Sequence, residues 1–223
     1  VVAFPVAIAI TFASPRWLPV LLLLTILPFW TNLLIRTYAL IAVLRTRGYV
    51  NFLLEDLWNG GNWLLNLVGL GSLQLLGARF EPLQMLYNNF AVVFGLVYVH
   101  LPFMVLPLYA ALDRMDRSYL EASLDLGAGQ IRTFFSIIVP LAMPGIISGL
   151  IITYIPALGS YLTPDLLGGT NSQMIANVIE RQFKSANDWP FGSALSFFLM
   201  YLTCFALALR TLFSKNRSSL GAE

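Results

Sequence analysis

The chain has 223 residues, 58% hydrophobic and 11% charged, with a net charge of +2 and a mean hydropathy of +0.76. A soluble domain averages about 25% charged residues, so this composition excludes an ordinary soluble fold and indicates an all-α, polytopic membrane protein. The dispersed basic residues exclude a nucleic-acid-binding tract, and a single cysteine, Cys204, excludes an intrachain disulfide or a multi-cysteine metal site.

A helix needs about 20 apolar residues to cross the hydrocarbon core. Residues 1–15 are uncharged but too short, and no basic region or cleavage site marks a signal peptide. They are expected to form a partial segment, 1–14, with at least one helix upstream. The next run gives a segment over 18–44, interrupted by one charge, Arg36. Within it Trp30, Thr31 and Asn32 make a polar-aromatic break. An intramembrane arginine is either a functional group or a side chain snorkelling to the interface.

The stretch 57–78 is also uncharged but carries Gly60, Gly61, Gly69, Gly71 and Gly77 among several amides. That density disfavours a lipid-facing span. Trp58 and Trp63 suit an interfacial helix, a buried broken helix being the alternative. Further segments are expected at 84–111, 133–160 and 191–213. One membrane domain then covers 1–213, followed by a cytoplasmic tail at 214–223. Cys204 reads as a small buried apolar residue and His100 as a hydrogen-bonded helix residue. Pro102, Pro107, Pro140, Pro144 and Pro156 predict kinks, and Gly145 and Gly149 a close helix approach.

Alternation places 15–17, 112–132 and the C-terminus on one side, with seven basic residues against five opposite, which favours the cytoplasm for 112–132. From Asp113 to Arg132 the composition turns polar. Leu120, Leu124 and Ala128 recur at four-residue spacing, with Glu121 and Asp125 on the adjacent face. Gly127 and Gly129 loosen the backbone before the next span. A short amphipathic helix parallel to the membrane is expected, either as a docking handle or as a solvated loop helix.

The run Glu121-Ala122-Ser123, Gly127, Ile137 and Val139-Pro140 resembles the EAA loop of ABC importer permeases, with Ser123 in place of alanine and Val139 in place of leucine. Pro28-Phe29-Trp30-Thr31-Asn32, Ile35-Arg36-Thr37-Tyr38, Leu101-Pro102-Phe103-Met104, Asp165-Leu166-Leu167-Gly168-Gly169 and Asp188-Trp189-Pro190 extend the resemblance. They are similar to the polyamine (spermidine/putrescine) permeases, B-type subunit. The resemblance implies a MetI-like type I importer fold with a cytoplasmic coupling helix in the inner membrane. It implies as partners a second permease subunit, two ABC ATPase subunits, an extracytoplasmic solute-binding protein and the lipid bilayer, with no nucleic acid.

No cofactor is expected on this chain itself. Neither Lys184 nor Lys215 closes a phosphate loop, so ATP and Mg belong to the ATPase partner, and the chain is not itself an enzyme. On this reading Leu120, Glu121, Ala122, Leu124, Asp125, Gly127 and Ala128 couple to the ATPase. Leu120, Leu124 and Ala128 would form an apolar floor, and Gly127 would allow a turn and close approach.

The spans contain no Asp or Glu. Substrate-path candidates are therefore aromatic or polar: Trp30, Asn32, Arg36, Tyr38, Tyr154 and Tyr161, with packing the alternative for Trp30. Asp165, Glu180, Glu55 and Asp56 are candidate binding-protein contacts, and 173–184 a candidate amphipathic helix. Relatives carrying ferric iron, opines or phosphonates remain alternatives. An ion-coupled secondary transporter would want intramembrane acids, which are lacking.

Overall fold

The computed structural model describes residues 1–67, 80–116, 118–170 and 172–219, with the backbone alone for 64–67 and 209–219. In chain order the helices are α1 (Ala3–Thr11), α2 (Leu18–Ile26), a 3₁₀ turn (Leu27–Trp30), α3 (Leu33–Leu44), α4 (Tyr49–Leu67) and α5 (Asn89–Asp113). Then come α6 (Ser118–Asp125), α7 (Gln130–Thr133), a π-helical segment (Phe134–Ile138), α8 (Val139–Leu158), α9 (Leu162–Leu167), α10 (Ile175–Lys184) and α11 (Trp189–Ser219). The described structure is all helical.

Among the described residues, three single helical stretches are long and apolar enough to cross a membrane: Asn89–Asp113, Gln130–Leu158 and Trp189–Ala208. They cover most of the segments expected at 84–111, 133–160 and 191–213. The expected single segment 18–44 is instead divided. The axes of Leu18–Trp30 and Leu33–Trp63 differ by 101°, with the break at Thr31 and Asn32. Asn32 ends the first arm and starts the second, its Oδ1 accepting the Leu34 N–H at 2.8 Å as an N-cap.

Of the stretch 57–78, residues 68–78 lie outside the described residues. The part that is described continues α4 through Gly60 and Gly61 to Leu67. The final helix runs on to Ser219, past the expected start of the tail at 214.

The centre is the α5–α8 pair. A Cβ on Gly145 would lie 2.5 Å from the Ala111 Cβ and 2.8 Å from the Pro107 carbonyl, and one on Gly149 would lie 2.7 Å from the Met104 sulfur. The two backbones therefore approach as closely as glycine permits. Ala3, Ala7, Ile10, Val105, Leu108, Leu112 and Ala142 form the core around this crossing. Ahead of Pro140, which has no N–H to donate and whose ring crowds the preceding turn, the helix widens into the π segment. A second small core joins Leu40, Leu44, Ala91 and Leu167 near the start of α5. Cys204 is exposed rather than buried, because α11 shows nearly all of its apolar surface outward.

Candidate functional site

The segment expected to act as a coupling helix is built by three local devices. Asp116 accepts the Ser118 N–H at 2.9 Å through Oδ1 and so starts α6. Its carboxyl is held below the usual carboxylate range, first by this backbone hydrogen bond and then by the Ser118 side chain.

At the other end Gly127 adopts φ +79°. Its N–H bonds the Leu124 carbonyl at 2.9 Å, and the Ala128 N–H bonds the Ser123 carbonyl at 3.1 Å. This is a Schellman stop, which needs a left-handed residue at this position. The third device is a clasp. The buried Ser123 hydroxyl lies 2.9 Å from that of Thr133, tying α6 to α7. In sequence Ser123 stands only in place of an alanine, and Thr133, which lies across the turn, is not among the candidate residues. The signal for the clasp was a hydroxyl on each side of the glycine-rich turn.

Ala122, Gly127 and Ala128 border a groove of about 490 Å³ together with Tyr119, Leu126 and Arg132. Leu120, Glu121, Leu124 and Asp125 do not line it. Leu120 is half-buried and Leu124 exposed, while Ala128 lies beyond the end of α6. The expected floor of Leu120, Leu124 and Ala128 is thus not one continuous helix face. Leu126, 88% exposed, is the most prominent apolar side chain at this end, and Ile131 and Phe135 are exposed nearby in sequence. Tyr119 also borders a larger cavity of about 670 Å³ reaching Pro107, Arg114, Asp116, Pro144 and Ser148. The α6 groove therefore adjoins the α5–α8 crossing.

The path candidates divide. Trp30 is 80% exposed, and Tyr38, Tyr154 and Tyr161 are exposed as well. Arg36 is buried on the inward face of α3 with Thr37, Leu40 and Leu44, and Asn32 is taken up by capping. Residues 36 and 38 stand about 200° apart around a helix, so Arg36 cannot share a face with Tyr38. His100 Nδ1 donates to the Leu96 carbonyl at 2.9 Å.

At the opposite end α9 seats on α5. A side chain on Gly95 would strike Leu167 and Thr163, and one on Gly169 would come 2.5 Å from the Tyr87 carbonyl. The Tyr87 N–H donates to the Leu167 carbonyl at 3.0 Å, and Ser172 Oγ donates to Asn89 Oδ1 at 2.6 Å. Asp165 borders a small cavity of about 190 Å³ with Arg181 and the buried Asn177. Asn177 donates to the Tyr161 carbonyl at 2.8 Å, joining α10 to α9. Glu180 pairs with Lys184 at 2.8 Å, and the Lys184 ammonium lies 5.8 Å from the Tyr161 ring centre. Glu55 and Asp56 are exposed on α4, away from this cavity lining. Asn51, missed in sequence, anchors Leu83 by two hydrogen bonds, at 2.9 and 3.0 Å.

Residues 2–218 match the family described as binding-protein-dependent transport system inner membrane component. The chain is 40% identical over 201 residues to the spermidine/putrescine transport system permease protein PotB of Haemophilus influenzae, covering 90% of this chain and 64% of that protein. It is 42% identical over 196 residues to PotB of Escherichia coli (strain K12), covering 88% and 64%. To the inner membrane ABC transporter permease protein YdcU of Escherichia coli (strain K12) it is 30% identical over 215 residues, covering 93% and 64%. The chain thus spans 64% of the length of these relatives.

Proposed function

Because the chain belongs to the binding-protein-dependent transport system inner membrane components, we propose that it is the permease subunit of an ATP-driven importer of polyamines. Its place is the inner membrane, as a multi-pass chain. The observation that carries the transport reading is α6. It is a short helix between two membrane helices, started by Asp116, stopped by Gly127 and clasped by Ser123 to the next span. Such a helix is capped at both ends, so it moves as a unit when a partner pulls on it.

In this mechanism two ABC ATPase subunits bind α6 and its counterpart on a second permease subunit, while a solute-binding protein docks outside. Ala122, Gly127 and Ala128 border the groove that takes the ATPase, with Leu126 and Leu124 as exposed apolar contacts. Leu120, Glu121 and Asp125 supply the remaining face. The chain binds no cofactor of its own and hydrolyses nothing. ATP and Mg are handled by the ATPase.

The substrate assignment is supported by identity of 40–42% to proteins named for spermidine and putrescine. Exposed Trp30, Tyr38, Tyr154 and Tyr161 offer aromatic faces to an ammonium, each worth about 0.5–2 kcal/mol. The second subunit supplies the carboxylates that this chain's spans lack. Asp165 and Glu180 near the outer cavity, with Glu55 and Asp56, are the contacts for the binding protein.

The test is reconstitution of the co-purified complex in proteoliposomes. ATP-dependent accumulation of labelled spermidine that requires the binding protein is expected. Isolation of this chain as an active transporter without an ATPase would defeat the reading.

A further inference from the structure

We propose that Arg36 is a positioning residue: its guanidinium holds the Thr31–Asn32 break and thereby fixes Trp30 at the apex. The substrate part of this inference rests on the polyamine reading above, whereas the clamp itself does not.

The break lies level with the middle of α5. Phe29 packs edge-on against Phe103, centroids 5.2 Å apart, and Phe103 lies near the middle of the 25-residue α5. Backbone that leaves a helix at bilayer depth finds no water, so its polar groups must be met by the protein. Here several are met by a nearby side chain or helix end. The Pro28 carbonyl accepts the Thr31 hydroxyl at 2.7 Å. The Leu34 N–H is taken by Asn32, and the Asn32 carbonyl accepts the Arg36 N–H at 3.1 Å. Thr31 is extended, with φ −84° and ψ 148°, which turns its carbonyl out of both helical ladders. Arg36 Nη2 reaches back five residues to meet that carbonyl at 3.0 Å.

Arg36 is the one buried charged side chain among the described residues, at 6% exposure. Its Nε is buried without a hydrogen-bond partner, and its guanidinium carbon stands 5.9 Å from the centre of the Phe29 ring. Burying a guanidinium without a carboxylate is costly. A hydrophobic side chain would fill the same space without that cost, but it would leave the Thr31 carbonyl unpaired. The geometry also removes a conflict. A positive charge exposed on the path would repel a polycation, yet here the charge faces inward while the ring it positions, Trp30, is 80% exposed.

The experiment uses the assembled complex in proteoliposomes, with R36M, R36Q, R36K, W30A and the double variant W30A/R36M. R36M fills the volume without carrying an unpaired donor into the core, so it serves should R36Q fail to insert. The expected result for R36M or R36Q is a rise of about tenfold in KM for spermidine with kcat within about twofold. R36K, which keeps a donor, recovers most of the loss. The double variant should be no worse than the poorer single one, because both act through one ring.

A second measurement needs no substrate. Spin labels at Leu24 and Ile35, exposed on the two arms, should give a narrow distance distribution that broadens in R36M and not in R36K. Additive effects in the double variant overturn the inference, as does an unchanged distribution in R36M. If the labels behave as expected but wild-type complex carries no spermidine, the clamp stands and the polyamine reading falls.

Discussion

Glycine is used in opposite ways at the two ends of the molecule. At the α6 end Gly127 has nothing within 4 Å of where a Cβ would sit, and what it supplies is a backbone angle, φ +79°. At the opposite end Gly169 supplies room. Its Cβ position is 2.5 Å from the Tyr87 carbonyl, and Gly168 and Gly95 are equally hemmed in by Pro164, Val92, Leu167 and Thr163. One end is locally shaped and open to a partner, while the other is packed shut against α5. The difference separates a helix whose end is set by a backbone angle from a loop whose seat is set by close packing.

Substituting the crowded end should have the larger effect. Gly169→Ala forces its methyl into main chain that cannot swing aside, and overpacking of this kind costs about 1–3 kcal/mol, at times more. Loss of thermal stability of the detergent-solubilised complex, with α9 newly accessible to protease, is the expected outcome. A melting temperature equal to wild type would mean that the seat yields.

At the open end, Gly127→Ala costs about 1–2 kcal/mol from the left-handed angle alone. Gly127→Asp adds a charge where an ATPase would bind, so it should leave the chain inserted but separate ATP hydrolysis from uptake. Normal uptake by that variant would remove Gly127 from the coupling role.

The contrast was only half legible in sequence. The long helices α5, α8 and α11 follow from unbroken apolar runs, and Gly127 was singled out by its place after a short amphipathic stretch. Gly60 and Gly61 weighed against a lipid-facing span without forbidding a helix, and α4 passes through both. A glycine penalty of about 1 kcal/mol is easily offset by the helix around it. The break at Thr31 and Asn32 showed as polar residues in an apolar run. Its 101° angle did not, because it depends on Arg36 turning inward to a carbonyl five residues back. The seat of α9 on Gly95 was likewise invisible, since it joins residues about seventy apart in sequence, and spacing carries no information about such a meeting.

The clasp gives a smaller effect. Ser123→Ala strands the buried Thr133 hydroxyl and should cost about 1 kcal/mol, loosening α6 against α7. The double variant with Thr133→Val removes both partners and should lie nearer wild type. Hydrogen exchange across 118–133 checks this, and a double variant as loose as the two single costs combined would deny the pairing.

The smallest effect is electrostatic and again opposes the two ends. Asp116 at the start of α6 has its acidity raised by the Ser118 hydrogen bonds, so its contribution is complete above its ordinary value of 3.8. That contribution is lost as pH falls through the still lower folded value. Lys184 on α10 is shifted upward, first by its hydrogen bond to Glu180 and then by that carboxylate's charge. Its contribution is complete below its ordinary value of 10.5 and lost as pH rises through the folded one. Both windows lie well away from neutrality. Protection of α6, corrected for the intrinsic exchange rate, should therefore fall only in strong acid, and that of α10 only in strong base, with both flat between about pH 6 and pH 8. A change in α6 protection near neutral pH, abolished by Asp116→Asn, would show that the carboxylate senses a charge from elsewhere. The natural source would be the ATPase surface proposed to dock on α6, so the same titration with and without that subunit separates the helix's own cap from a docking contact.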